Sequence, residues 1–278
     1  MTSRDRDAWA TKTLAAEEDL SWAAWIQGFF ILSSTADDSA ERIWVRNYQE
    51  LYTRDMTLIA LGDVEGRRGL DIAGGDGSYG IVLSAMGASM ACQDLASESI
   101  AAGRRNAAKA RVDIDFRVGD AQELQFDDGS FDFCISSDFF EHITIDQKRV
   151  VLGEIYRVLK PGGLCVIKTP NLTYHRLTIW LKRAVAIMRL QSPRVFIAHT
   201  RDNPDREHHG LTTFRELEGL VRDQFFLDSE RIPLQLRRRG LPPWLGRRLR
   251  GFWPVTEHII LRFRKSVFVP VGDFLDEL

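Results

Sequence analysis

The chain has 278 residues, 44% hydrophobic and 27% charged, with 7 Trp. That is enough apolar mass for a real core, and it excludes a disordered chain. The formal charge of −2 argues against bulk nucleic-acid binding.

Cys92, Cys134 and Cys165 all lie in apolar stretches. They read as small hydrophobes in a reducing, cytoplasmic setting, not as a disulfide framework. The first seven residues are too charged for a secretory signal. The longest apolar run, Trp22 to Leu32, is interrupted by Gln27 and Gly28 and is too short to span a bilayer, so a membrane-spanning protein is not expected. The charge is unevenly spread. Residues 1–170 carry a net −9 and residues 171–265 a net +10, with basic groups at Arg237-Arg238-Arg239 and at Arg247, Arg248 and Arg250. The basic part reads either as a solvated face or as a surface for phosphate or an anionic membrane.

In chain order, residues 6–61 read as helices with Trp, Phe and Leu on apolar stripes. Leu70 to Ala73 is a short strand, Ser78 to Met86 a helix, Ala88 to Gln93 a strand and Ser97 to Ala110 a helix. Asp113 to Val118 alternates as a strand, and Phe131 to Ser136 is another. Asp146 to Leu159 is a helix stopped by Pro161-Gly162-Gly163, followed by a strand from Leu164 to Thr169. Thr213 to Phe225 is a helix, and His258 to Phe268 contains a late strand. Alternating strands and helices predict an α/β fold with a parallel, doubly wound sheet.

Four segments fall at predicted carboxyl ends of strands, where open α/β sheets bind ligands. The first is the turn Asp71-Ile72-Ala73-Gly74-Gly75-Asp76-Gly77, whose glycines allow close backbone approach. Its spacing is not the dinucleotide pattern. Asp94 ends the second strand, where a carboxylate can accept both hydroxyls of a ribose. Gly119-Asp120-Ala121 follows the third strand. Asp120 could accept from an adenine amine, and the Ala121 N–H could face a ring nitrogen. Ser136-Ser137-Asp138 ends the fourth. Each segment alone reads as well or better as a turn or cap; the conjunction is a much stronger signal than any one member.

With Phe131-Asp132-Phe133 and Arg157-Val158-Leu159-Lys160-Pro161-Gly162-Gly163, these segments resemble the class I S-adenosylmethionine-dependent methyltransferases over residues 68–170. Lys168-Thr169-Pro170-Asn171, His208 and Thr212-Thr213-Phe214-Arg215-Glu216-Leu217 resemble the small-molecule branch that includes sugar and ubiquinone-pathway O-methyltransferases. The resemblance implies a Rossmann-like, mostly parallel seven-stranded sheet with an N-terminal helical cap over 1–65. The cofactor-binding core would occupy 66–170, a lid or acceptor-binding insertion 171–212, and the completion of the sheet 213–278. It implies S-adenosylmethionine as cofactor. Asp71 and Gly75 would border its methionine part, Asp94 would bind its ribose, and Asp120 and Ala121 its adenine, with Ala73, Gly74, Gly77 and Leu95 as further cofactor-binding residues. Ser137 and Asp138 would lie near the methionine amine or the acceptor. One departure is Ala73, where the family usually has its first glycine.

Asp138, Glu141 and His142 have i, i+3, i+4 spacing, which puts them on one face if a helical turn forms. The pattern resembles the metal-holding Glu-x-x-Glu-His of ubiquinone-pathway and small-RNA 2′-O-methyltransferases. It raises a divalent metal such as Mg as a second cofactor. The alternative is a metal-free Glu141–His142 pair with His142 as general base. His208 and His209 are further candidate bases, or ordinary loop residues. Leu20 to Leu32 and Leu172 to Leu190 read as core, lid or, for the second, a membrane-surface helix.

The leading expectation is methyl transfer to a hydroxyl of a small molecule: a sugar, polyketide, quinone-type or lipid-linked metabolite, with an anionic or phosphorylated acceptor favoured by the arginines. Alternatives are small-molecule N-methylation, RNA methylation and a non-catalytic cofactor-binding scaffold. A small-molecule acceptor is the expected partner and nucleic acid is not; the chain is expected to be cytoplasmic, with a membrane surface as an alternative further partner through the basic residues 171–265.

Overall fold

The computed structural model describes residues 48–188, 210–223, 229–232 and 256–266. Helix α1 (Tyr48–Leu61) leads into strand β1 (Arg68–Ile72), helix α2 (Ser78–Ala85), β2 (Ser89–Asp94), α3 (Ser97–Ala110) and β3 (Ile114–Val118). Then come β4 (Phe131–Ser137), a 3-10 turn (Phe140–His142), α4 (Ile145–Val158), β5 (Leu159–Pro170) and α5 (Leu172–Met188). Helix α6 (Phe214–Asp223) and strands β6 (Glu230–Arg231) and β7 (His258–Arg264) complete the described elements.

The strands form one seven-stranded sheet in the order β3-β2-β1-β4-β5-β7-β6. Strands β1 to β5 are parallel. Strand β7 runs antiparallel to β5, and β6 antiparallel to β7. The chain order reverses direction across the sheet between β1 and β4, so a crevice opens above the carboxyl ends of those strands. The antiparallel β7 also brings its first residue, His258, beside Pro170 at that same end.

Alternation along the strands feeds two apolar layers. Phe133, Ile135, Leu164 and Val166 face the layer that includes Met56, Leu83, Ile100 and Phe116. Cys134, Cys165 and Ile167 face the opposite one, with Leu152, Ile155 and Leu217. The three cysteines are buried and unpaired.

The stretch around Pro161 departs from the sequence expectation. Instead of a turn before Leu164, the strand begins at Leu159, directly after α4. Proline disfavours the helical region for the residue before it, so Lys160 is pushed into extended backbone. Gly162 and Gly163 then exchange backbone hydrogen bonds with Lys265, extending the edge with β7. The expected helices before residue 48 lie outside the described residues.

One arginine fixes the long β3–β4 connection. The Arg157 guanidinium donates to the carbonyls of Leu124 and Phe126 (both 2.8 Å), to Asp128 (2.7 Å) and to both Glu154 oxygens (2.8 Å). Glu154 in turn accepts from the Leu124 N–H at 2.7 Å. A planar five-donor fork suits this task, and an ammonium does not. We expect Arg157→Met to cost about 1–3 kcal/mol of stability, measured by urea unfolding. Arg157→Lys should recover less than half of that loss.

Candidate functional site

The site is built where β1, β2 and β3 end. After Ile72 the chain turns sharply, with positive φ at Ala73 (53°), Gly75 (57°) and Gly77 (76°). Ala73 is the departure noted from the sequence, and its left-handed backbone costs about 1–2 kcal/mol that glycine would not. Its N–H is nonetheless held by the Gln93 carbonyl at 2.8 Å. Gly74 has no room for a side chain: a Cβ would meet the Asp71 carboxyl at 2.5 Å and Cys92 Sγ at 2.8 Å. A Cβ at Gly75 would meet nothing within 4 Å, so the backbone faces open space there. An open glycine turn at a helix N-terminus is the cradle a polar ligand needs.

Asp71 lies beneath this turn, buried, and accepts from the Gly80 N–H at 3.2 Å. Burial pushes its carboxyl up to about 7; the Gly80 bond opposes the shift, and the negative charges of Asp94 and Asp76 add to it. It supports the turn from below.

Asp94 is the side chain that fixes the turn from the next strand. One carboxylate oxygen accepts from the Gly75 N–H and the other from the Ala96 N–H, both at 2.8 Å. Leu95, beside it, is 72% exposed. An apolar side chain left bare next to an oriented carboxylate suits a ribose with its base packed alongside.

The loop after β3 is held by a residue that sequence reading passed over. Gln93 is buried, and its amide nitrogen donates to the carbonyls of Asp120 (2.8 Å) and Glu123 (3.1 Å). Its amide oxygen accepts from the Gln125 N–H at 3.0 Å. Gly119 closes the loop onto the Asp94 carbonyl at 3.0 Å. Asp120 is exposed and accepts from the Gln122 N–H at 2.8 Å, and the Ala121 side chain is buried. Asp71, Ala73, Gly74, Gly75, Gly77, Asp94, Leu95, Asp120 and Ala121 thus gather around one end of three adjacent strands.

A second group occupies the ends of β4 and β5. Asp138 has φ 55°, a strained value for a non-glycine residue. Its carboxylate accepts from Lys168 Nζ at 2.5 Å and from the Ser137 hydroxyl at 3.2 Å. Burial would raise its pKa, but Lys168 outweighs burial and holds the carboxyl below its usual range. Burial also works against the charge on Lys168, but Tyr79 and Asp138 raise its pKa above the ordinary value. His258 adds a buried Nδ1 with no hydrogen-bond partner among the described residues. Burial, with the nearby Lys168 charge, pushes the imidazole down to about 4, against the pull of Asp138. Sequence reading saw His258 only as the start of a late strand. Its placement depends on an antiparallel pairing across some 90 positions, for which no local signal exists.

The geometry does not support the metal expectation at Asp138, Glu141 and His142. The short 3-10 turn begins only at Phe140, and Asp138 precedes it in left-handed backbone. Glu141 is buried and accepts from the Thr169 hydroxyl at 2.9 Å. Burial, then the Asp138 charge, raises its pKa. His142 is exposed, with Nε2 3.9 Å from Glu141. Among the described residues no group of three His, Cys, Asp or Glu side chains could hold a metal ion. His208 and His209 lie outside the described residues. The described chain resumes at Gly210, whose N–H donates to the Glu141 carbonyl at 2.7 Å and whose carbonyl accepts from the buried Lys148.

Residues 70–167 match the family described as a methyltransferase domain. A demethylmenaquinone methyltransferase of Clavibacter sepedonicus is 38% identical over 120 residues, covering 42% of this chain and 48% of that one. A ubiquinone biosynthesis O-methyltransferase of Xanthomonas oryzae is 30% identical over 112 residues, covering 40% and 46%. The chain thus spans about half the length of the curated relatives it matches. A Methanosarcina mazei S-adenosylmethionine-dependent methyltransferase superposes with a TM-score of 0.56 at 21% identity, covering 76% of this chain and 97% of that one. A Pyrococcus horikoshii protein gives 0.56 at 19%, covering 86% and 98%. Residues 70–167 thus match a methyltransferase-domain family, and the fold is the one shared with the Methanosarcina methyltransferase structure. Among the described residues no helix is long and apolar enough to cross a membrane.

Asp71 gives this site a pH signature. Its carboxyl is raised in the folded state, so the folded chain holds an extra proton between about pH 4 and pH 7. The stability this provides is full below pH 4 and is lost as pH rises to 7. Asp71→Asn should remove that decline and raise the stability of the ligand-free protein at pH 7.5 by about 1 kcal/mol or more, read from urea midpoints across pH 4.5–8. An unchanged pH dependence would show that Asp71 ionises normally.

Proposed function

We propose that the protein is an S-adenosylmethionine-dependent methyltransferase acting on a small aromatic acceptor that carries an ionisable hydroxyl, of the hydroquinone or phenol kind. The observation that carries the reading is the pairing of two half-sites on one sheet edge. One half, on β1 to β3, combines an open glycine turn, the oriented Asp94 carboxylate and the exposed Leu95; a polar half with a buried ammonium and a neutral imidazole lies on β4, β5 and β7. The quinone-pathway names of the sequence relatives support the acceptor class.

The residues present fit the cofactor. The open face of Gly75 and the carboxylate of Asp94 would hold its polar parts. Leu95 and the loop fixed by Gln93 would flank the base. Bound S-adenosylmethionine supplies an electrophilic methyl group on a sulfonium sulfur. The chain's own part is to align a nucleophile with that methyl and to manage the nucleophile's proton.

Lys168 and His258 supply the second part. A neutral imidazole with a vacant ring nitrogen can hydrogen-bond an acceptor hydroxyl, and the adjacent ammonium stabilises its anion. An aryl oxide is nucleophilic at oxygen and at the neighbouring ring carbons, so the same two residues serve O- or C-methylation. Transfer to oxygen is our leading assignment. His142, exposed on its turn, and His208 and His209 are alternative proton acceptors. A protonated amine gains nothing beside Lys168, which disfavours N-methylation.

The test is formation of S-adenosylhomocysteine with a panel of hydroquinones, catechols and matched aryl amines. Turnover is expected with the phenolic members only. Lys168→Met should lower it about tenfold at pH 7 and less at pH 9, where the acceptor ionises unaided. Turnover of the amines alone, or a Lys168→Met rate equal to wild type at both pH values, overturns the reading.

A further inference from the structure

Helix α5 leaves the carboxyl end of β5, beside the acceptor half of the site. Its two sides are unlike. Leu172, Tyr174 and Ile179 are buried against the body of the protein. Leu177, Trp180, Ile187 and Met188 are 59–74% exposed. Among the described residues these four make up most of the seven large apolar side chains left exposed, so they are a patch and not ordinary scatter. At about 100° per residue, Leu177, Trp180, Ala184, Ile187 and Met188 fall within an arc of about 100°. They run along about 16 Å of one helix face.

The charge around that face is one-sided. The helix contains no Asp or Glu. Arg176 is exposed at the rim, and the Arg183 guanidinium sits 5.6 Å from the Trp180 ring centroid. Residues 171–265 carry a net +10, against −9 for residues 1–170. A long, narrow apolar stripe with Trp and an arginine rim, on the positive half of an otherwise acidic chain, matches the interface of an anionic bilayer. A protein partner of standard size would need a broader contact than one helix stripe.

We propose that the exposed face of α5 docks the protein onto anionic lipid bilayers, with the apolar stripe entering the headgroup boundary and Arg176 and Arg183 facing the lipid phosphates. Docking there turns the β4–β5 end toward the membrane, where an apolar acceptor would be dissolved. The surface stands whatever reaction the site performs.

The test is co-sedimentation of the full chain with vesicles of phosphatidylcholine, pure or mixed equally with phosphatidylglycerol, at low and high salt. The expected result is binding to the mixed vesicles, weakened at least about tenfold by 0.5 M NaCl and by Trp180→Glu with Ile187→Glu. Both side chains are exposed, and calorimetry with S-adenosylhomocysteine checks that the variant remains folded. Equal recovery with and without phosphatidylglycerol overturns the proposal. So does binding that survives the double substitution, which would place it on another basic segment. A wild-type dimer in light scattering that the double variant abolishes, without vesicle binding, would also overturn it and make the face a self-association surface. Absence of S-adenosylhomocysteine binding by the wild type, with its vesicle binding intact, would count against the methyltransferase reading alone.

Discussion

Two consecutive residues at the end of β2 hold the candidate cofactor site together. Strand alternation sends the Gln93 and Asp94 side chains to opposite sides. Asp94 reaches back to the glycine turn after β1 and ties the Gly75 N–H at 2.8 Å. Gln93 reaches the other way and fastens the loop after β3 through Asp120, Glu123 and Gln125. Both walls of the crevice are therefore positioned from one strand terminus. The backbone connects them as well, because Ala73 donates to the Gln93 carbonyl and Gly119 to that of Asp94. A ligand entering this crevice meets groups already oriented, so little ordering remains to oppose binding.

The proposed acceptor half is assembled differently. It depends on the change from parallel to antiparallel pairing between β5 and β7, which lays His258 beside Pro170. Lys168 and Asp138 come from adjacent parallel strands and clamp one another. The strained backbone of Asp138 is held by this clamp and by its N–H bond to the Lys168 carbonyl at 2.9 Å. Strain of this kind persists where surrounding contacts over-determine it, often at functional sites.

Much of this was legible in the chain, for identifiable reasons. The helix Ser97–Ala110 and the strands around it follow from local periodicity and clear boundary residues. The glycine turn and Asp94 carry their meaning in short, contiguous patterns. Gln93 carried none, because a glutamine inside a strand is unremarkable until the loop it fastens is in place. His258 was hidden by sequence distance. The Asp138, Glu141 and His142 spacing misled because it presumed a regular helical turn. The left-handed backbone of Asp138 and the claim of Lys168 on its carboxylate dissolve the metal-binding set. At Ala73 the physical content of the sequence departure is a positive φ on a residue with a Cβ.

The central claim is that the β1–β3 edge is a nucleoside site organised by Asp94. The most direct measurement is calorimetric titration with S-adenosylhomocysteine, with NAD as the control ligand, on wild type and Asp94→Asn. Binding of S-adenosylhomocysteine but not NAD, weakened at least about tenfold by the substitution, is the predicted result. Absence of binding in the wild type, or an affinity indifferent to Asp94, would contradict the account.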